Sequence, residues 1–135
     1  MKLFSTILSS LIVLISFFVF TGCESVRQES IAAQLKAGAE AVTTPEDLGD
    51  GLRLDSVSAK GVSVRYSYTM TEYAKGDLNQ PEFYKTMKLD LMRKADTSAE
   101  MAFYRKNKVK VSFAYYFKDG EPLSTIIIKP EDYKK

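Results

Sequence analysis

The chain contains no histidine and no tryptophan, and its single cysteine is Cys23. Without histidine, the usual general base of nucleophilic hydrolysis is missing, so Ser–His–Asp and Cys–His arrangements are excluded. Zinc sets built from histidines and several cysteines are excluded with them. A lone cysteine also rules out an internal disulfide, whatever the compartment. The seven glycines and four prolines mark breaks and turns, and no glycine-rich phosphate loop is present. An excess of one charge is lacking too. Nineteen basic and 17 acidic residues leave a net charge of +2, which gives no field suited to holding nucleic acid. The acids are scattered, with Asp47/Asp50 and Glu131/Asp132 reading as loop and tail solvation. No metal or cofactor is expected from this composition. A Ser–Lys pair is the one catalytic combination left open, but nothing sets a serine on a strained elbow. The expected role is therefore noncatalytic, with a small periplasmic enzyme as the distant alternative.

What the chain does have is one long apolar run. Met1-Lys2 supplies a basic start, and Leu3 to Phe20 is interrupted only by Ser5, Thr6, Ser9, Ser10 and Ser16. Thr21-Gly22 then brings small residues up to Cys23, which is the order of an export signal. A bilayer span needs roughly 20 apolar residues, so a retained transmembrane anchor and a freely secreted domain are the competing readings. The segment Phe20-Thr21-Gly22-Cys23 resembles the bacterial lipobox, with Phe where Leu is usual. That resemblance implies a signal peptide over residues 1–22, acylation of Cys23 (palmitate among the acyl chains), and one lipid-anchored domain over 23–135. In sorting by the residue after the cysteine, Glu24 in place of Asp leans toward the outer membrane, on its periplasmic side. Loss of residues 1–22 removes Lys2 and no acid, lowering the charge from +2 to +1. A domain of this size can bury a core with little stability to spare.

Beyond the anchor, Val26, Ile31, Leu35 and Ala39 recur at near-helical spacing and predict a helix over 25–42. The stretch 43–47 reads as a capped turn with Pro45 early, and Leu48 to Gly51 as a break. Leu52 and Leu54 start a strand over 52–59, but Val57 is out of phase, which calls for a bulge near Asp55-Ser56. After a turn at Lys60-Gly61, Val62, Val64, Tyr66, Tyr68 and Met70 alternate with Ser63, Arg65, Ser67 and Thr69. That strict period of two predicts a strand with one packed face. Asn79, Pro81 and Glu82 form a helix start ahead of the stripe Phe83, Met87, Leu91 and Ala95. Thr97 to Glu100 opens a second short helix or a kinked continuation. Val109, Val111, Phe113, Tyr115 and Phe117 form a second alternating strand, and Asp119-Gly120 turns it into a return strand over 123–129. Ile126, Ile127 and Ile128 cannot all face one core. The expected fold is α+β, a small antiparallel four-stranded sheet flanked by helices, with strand order left open.

Two features carry candidate recognition. The tyrosines Tyr66, Tyr68 and Tyr115 read either as core packing or as the wall of a groove, while Tyr116 falls on the polar face. Tyr84, Met87, Leu91 and Tyr104 are the candidate partner-binding residues, with core packing as the competing reading. The basic run Arg105-Lys106, Lys108 and Lys110 is either a solvated turn or a contact for anionic lipid head groups. The lipobox, the following helix, the hairpin around Lys60-Gly61, the middle helices and the Asp119-Gly120 hairpin together resemble the AspS-like pilotin lipoproteins of the type II secretion system. The similarity spans roughly residues 24–130 and rests on order rather than on a local motif. It implies a sheet flanked by helices, and a role in binding secretin subunits and guiding them to the outer membrane. The chain departs from that group in lacking a disulfide between the middle helical region and the last strand. A structural or stress-related lipoprotein without a secretin partner is the alternative.

Overall fold

The computed structural model describes residues 24–134; the expected export segment and Cys23 lie outside the described residues. Helix α1, Glu24–Ala41, buries Ile31, Leu35 and Ala39, one residue every four, which is a single helical face. A two-residue strand β1, Glu46–Asp47, leads into the hairpin of β2, Leu52–Ala59, and β3, Ser63–Met70. Helix α2, Gln80–Thr97, and the short α3, Ala102–Lys106, cross to the second hairpin. That hairpin joins β4, Lys110–Phe117, to β5, Pro122–Ile128. Gly61 and Gly120 hold positive φ values of 57° and 87° in the two hairpin turns, backbone positions that favour glycine.

The α+β architecture is as expected, but the sheet has five strands in the order β1-β2-β3-β4-β5. The outer pairs are antiparallel, whereas the central β3–β4 pair is parallel, from Ser63↔Lys110 to Met70↔Phe117. The physical reason is the connection: two helices separate β3 from β4, and such a crossover returns the chain to its starting end. The bulge expected near Asp55 sits between Leu54 and Ser56. It brings Val57 opposite Tyr66, so both halves of β2 serve the same face.

One face of the sheet is packed and the other is open. Val64, Tyr66, Tyr68 and Met70 of β3 and Val111, Phe113, Tyr115 and Phe117 of β4 join the buried faces of α1 and α2 in one core. Tyr66 stacks on Phe113 at 5.5 Å, Tyr68 on Tyr115 at 5.1 Å, and the Phe83 ring meets Tyr115 edge-on. The parallel register sets these rings side by side, and each pair adds about 0.5–1.5 kcal/mol beyond its burial. Ile126 and Ile128 enter this core, while Ile127 is half-buried on the opposite face. On that face Thr69 donates to Asp55, Arg53 Nε donates to the same carboxylate at 2.6 Å, and Arg65 reaches the Tyr116 hydroxyl at 3.3 Å.

Candidate functional site

The four candidate partner-binding residues do not line one surface. Met87, Leu91 and Tyr104 are buried in the core, whereas Tyr84 is 43% exposed. Their placement follows from helix geometry: Phe83, Met87, Leu91 and Ala95 repeat every four residues and form the inward stripe of α2, and Tyr84 lies one position off it. Tyr84 instead shares its line with Gln80 and Lys88. Gln80 Nε2 donates to the Pro122 carbonyl at 3.3 Å and Lys88 Nζ to the Ile127 carbonyl at 2.8 Å. Tyr84 thus stands between two polar clasps on the edge strand β5. Those clasps occupy the Pro122 and Ile127 carbonyls, and Pro122 has no N–H to offer another strand. Leu89, 61% exposed, was not singled out by periodicity; it lies five positions from Tyr84, and the two do not form a continuous apolar stripe.

Tyr66, Tyr68 and Tyr115 take the core-packing reading, with no more than 2% of any of them exposed. The Tyr66 and Tyr104 hydroxyls share a 2.6 Å hydrogen bond, and the Tyr133 hydroxyl donates to the Val109 carbonyl at 2.6 Å. Among the described residues, the hydroxyls of Tyr68 and Tyr115 have no hydrogen-bond partner. Burial pushes all five phenols above their ordinary range, because a phenolate there loses its hydration. For Tyr115 the nearby Asp90 carboxylate adds to the upward push.

The basic run splits in two. Arg105 turns inward, and its Nη1 donates to the Ala95 carbonyl at 2.6 Å and to the Ser98 carbonyl at 3.2 Å. It closes the C-terminal end of α2, where freed carbonyls and the helix dipole favour a cation. Lys106, Lys108 and Lys110 stay exposed. They line a groove of about 610 Å³ together with Arg27 of α1, over Ile31, Val62 and Pro130. The groove opens where β3 and β4 both begin. Sequence reading found the three lysines but not Arg27, which stands some eighty residues earlier; only the fold brings them together. Among the described residues, no group of three or more acids, cysteines or histidines is gathered as a metal site, and no helix is long and apolar enough to cross a membrane.

Comparison with known proteins bears on this arrangement at the level of fold. No protein-family model and no curated protein sequence matches the chain. Among solved structures, the type II secretion system pilotin AspS from Vibrio cholerae superposes with a TM-score of 0.62 at 11% identity, over 82% of this chain and 99% of that one. The fold resembles that of a pilotin. A second pilotin, EpsS from the Vibrio vulnificus type 2 secretion system, gives 0.63 at 10% identity, over 83% and 99%. A Pseudomonas aeruginosa protein assigned as secreted gives 0.62 at 10% identity, over 82% and 98%. Nearly the whole length of each neighbour is therefore present here. At this identity the shared property is the arrangement of elements, and individual binding residues do not carry over.

Proposed function

We propose that this chain is a lipid-anchored, noncatalytic envelope protein that binds another envelope protein. In its sharpest form, the role is that of a pilotin, guiding secretin subunits to the outer membrane. The observation that supports it is a coincidence of two independent features: a lipobox-like Phe20-Thr21-Gly22-Cys23 precedes a domain with the fold of two type II secretion pilotins. An acyl chain on Cys23 would supply the address, and the domain the grip on a partner segment. The contact we assign first is Tyr84, exposed on α2. Met87, Leu91 and Tyr104 lie behind it in the core, so a partner reaches them only by lifting α2 or α3. A wider reading, an envelope lipoprotein without a secretin partner, is favoured by the third neighbour, which has the same fold and is assigned only as secreted.

The test is crosslinking in intact cells, followed by purification of the anchored protein and mass spectrometry. Recovery of a secretin, reduced by Tyr84→Ala, supports the pilotin role. Recovery of abundant envelope proteins alone overturns it. Cys23→Ser separates the anchor from the grip: the expected result is loss of membrane attachment with the domain still folded. Full retention in the membrane would mean that the apolar segment itself is the anchor.

A further inference from the structure

We infer that the groove lined by Arg27, Lys106, Lys108 and Lys110 binds the phosphate of anionic phospholipid head groups in the membrane that holds the chain. The inference rests on the anchored reading above and adds a second point of attachment. Four cations converge on one groove from α1, the end of α3, the turn that follows it and the start of β4, with no acid in its lining among the described residues. Among the described residues, none of the four makes an ion pair. The Lys108 ammonium lies 5.9 Å from the centre of the Tyr133 ring. An anion placed in the groove would be attracted by all four without competition from a carboxylate among the described lining residues.

The composition of the groove suits a phosphodiester with the start of a glycerol chain. Its rim is cationic, and its floor carries Ile31 and Val62. Its position favours a membrane over a soluble acidic peptide. Arg27 follows Cys23 by four residues, and four residues of fully extended chain reach at most about 14 Å. A lipid on Cys23 would hold this rim at head-group level. A basic patch adds electrostatic attachment at a surface that the acyl chains already reach. Each basic residue at an anionic surface contributes on the order of 1 kcal/mol, or about a fivefold factor in affinity.

The experiment uses the full chain extracted from membranes into neutral detergent micelles. Amide NMR signals of Ser63, Asn107 and Lys108 are followed while short-chain phosphatidylglycerol is added. The expected result is a saturable shift at these groove positions, with short-chain phosphatidylcholine producing none. The triple substitution Lys106→Gln, Lys108→Gln, Lys110→Gln should weaken the response about 100-fold, and Arg27→Gln alone about fivefold. All four residues are exposed, and an unchanged thermal unfolding midpoint checks that the domain is intact. Equal shifts with phosphatidylcholine, or none with either lipid, overturn the inference. The same shifts with inorganic phosphate at equal concentration would assign a soluble anion instead. Tighter binding of an acidic peptide would assign a protein partner, and either result overturns the membrane contact. Mass spectrometry of Cys23 in the same sample reads the anchor separately. An unmodified Cys23 beside phosphatidylglycerol-specific shifts removes the anchor while the groove stands, and an acylated Cys23 without shifts removes the groove alone.

Discussion

Raising the pH should unfold this domain through its buried tyrosines. Tyr66, Tyr68, Tyr115 and Tyr133 are each no more than 4% exposed, and burial raises the pKa of every one. Tyr104 shares a hydrogen bond with Tyr66, so it is counted with that ring. In the unfolded chain a tyrosine ionises near pH 10, whereas in the core it keeps its proton to higher pH. The native state therefore binds more protons above pH 10, and stability falls as pH rises; below about pH 10 the contribution is fully present. At about pH 11, each ring that ionises only on unfolding costs about 1.4 kcal/mol, and the four together about 6 kcal/mol. That is comparable to the 5–15 kcal/mol a typical domain has. The assay is urea unfolding across this range, with near-UV circular dichroism and phenolate absorbance recorded together. Lysines titrate in the same range, so Tyr115→Phe provides the isolating comparison. Its stability loss between about pH 9 and about pH 11 should be smaller by about 1.4 kcal/mol. An identical loss in Tyr115→Phe and the unaltered chain, or phenolate absorbance of the buried rings rising while the core signal persists, would refute the reasoning.

The same core yields further expectations at neutral pH. Tyr68→Phe removes a buried hydroxyl with no hydrogen-bond partner among the described residues, so it should raise stability by about 1 kcal/mol in urea unfolding; a loss of that size would mean that the hydroxyl has an ordered partner. Phe83→Ala empties a fully buried ring site against Tyr115 and should cost about 3–5 kcal/mol, lowering the thermal midpoint well beyond any surface change. Arg105→Ala leaves the Ala95 and Ser98 carbonyls without their charged donor and should cost about 1.5–3 kcal/mol. By contrast Lys106→Ala, on the exposed rim, should change stability by less than about 0.5 kcal/mol in the same assay.

The parts of the fold that were legible in sequence are those where one element's own pattern decides its state. The alternation through Val64 to Met70 and Val111 to Phe117, the Asn79 cap with the Phe83 stripe, and the Asp119-Gly120 turn all act over a few residues. Even the bulge could be read, because Val57 breaks the phase of Leu52 and Leu54. What was hidden depends on pairing between distant segments. β1 is only two exposed residues held by backbone pairing to Arg53 and Leu54, so it leaves no side-chain signature. The parallel centre of the sheet follows from where the crossover lands, which no local pattern encodes. The same limit explains the candidate sites. An inward stripe and a docking stripe have identical spacing on a helix, so Met87 and Leu91 looked alike in both roles. Arg27 belongs to the basic groove only because α1 packs beside the start of β3.

The parallel centre also fixes the order in which the chain can assemble. Each outer hairpin closes through a turn of a few residues, but β3 meets β4 only when a segment of about 50 residues is brought round. The loop-closure cost of that meeting exceeds that of a hairpin by about 2 kcal/mol, and contacts so distant in sequence slow folding. The stacked pairs Tyr66–Phe113 and Tyr68–Tyr115 span this seam. Their attraction is gained only after the costly closure, which makes them late contacts. Until the seam zips, two half-sheets each carry an aromatic stripe and an unpaired central edge, the surfaces most prone to joining a second chain.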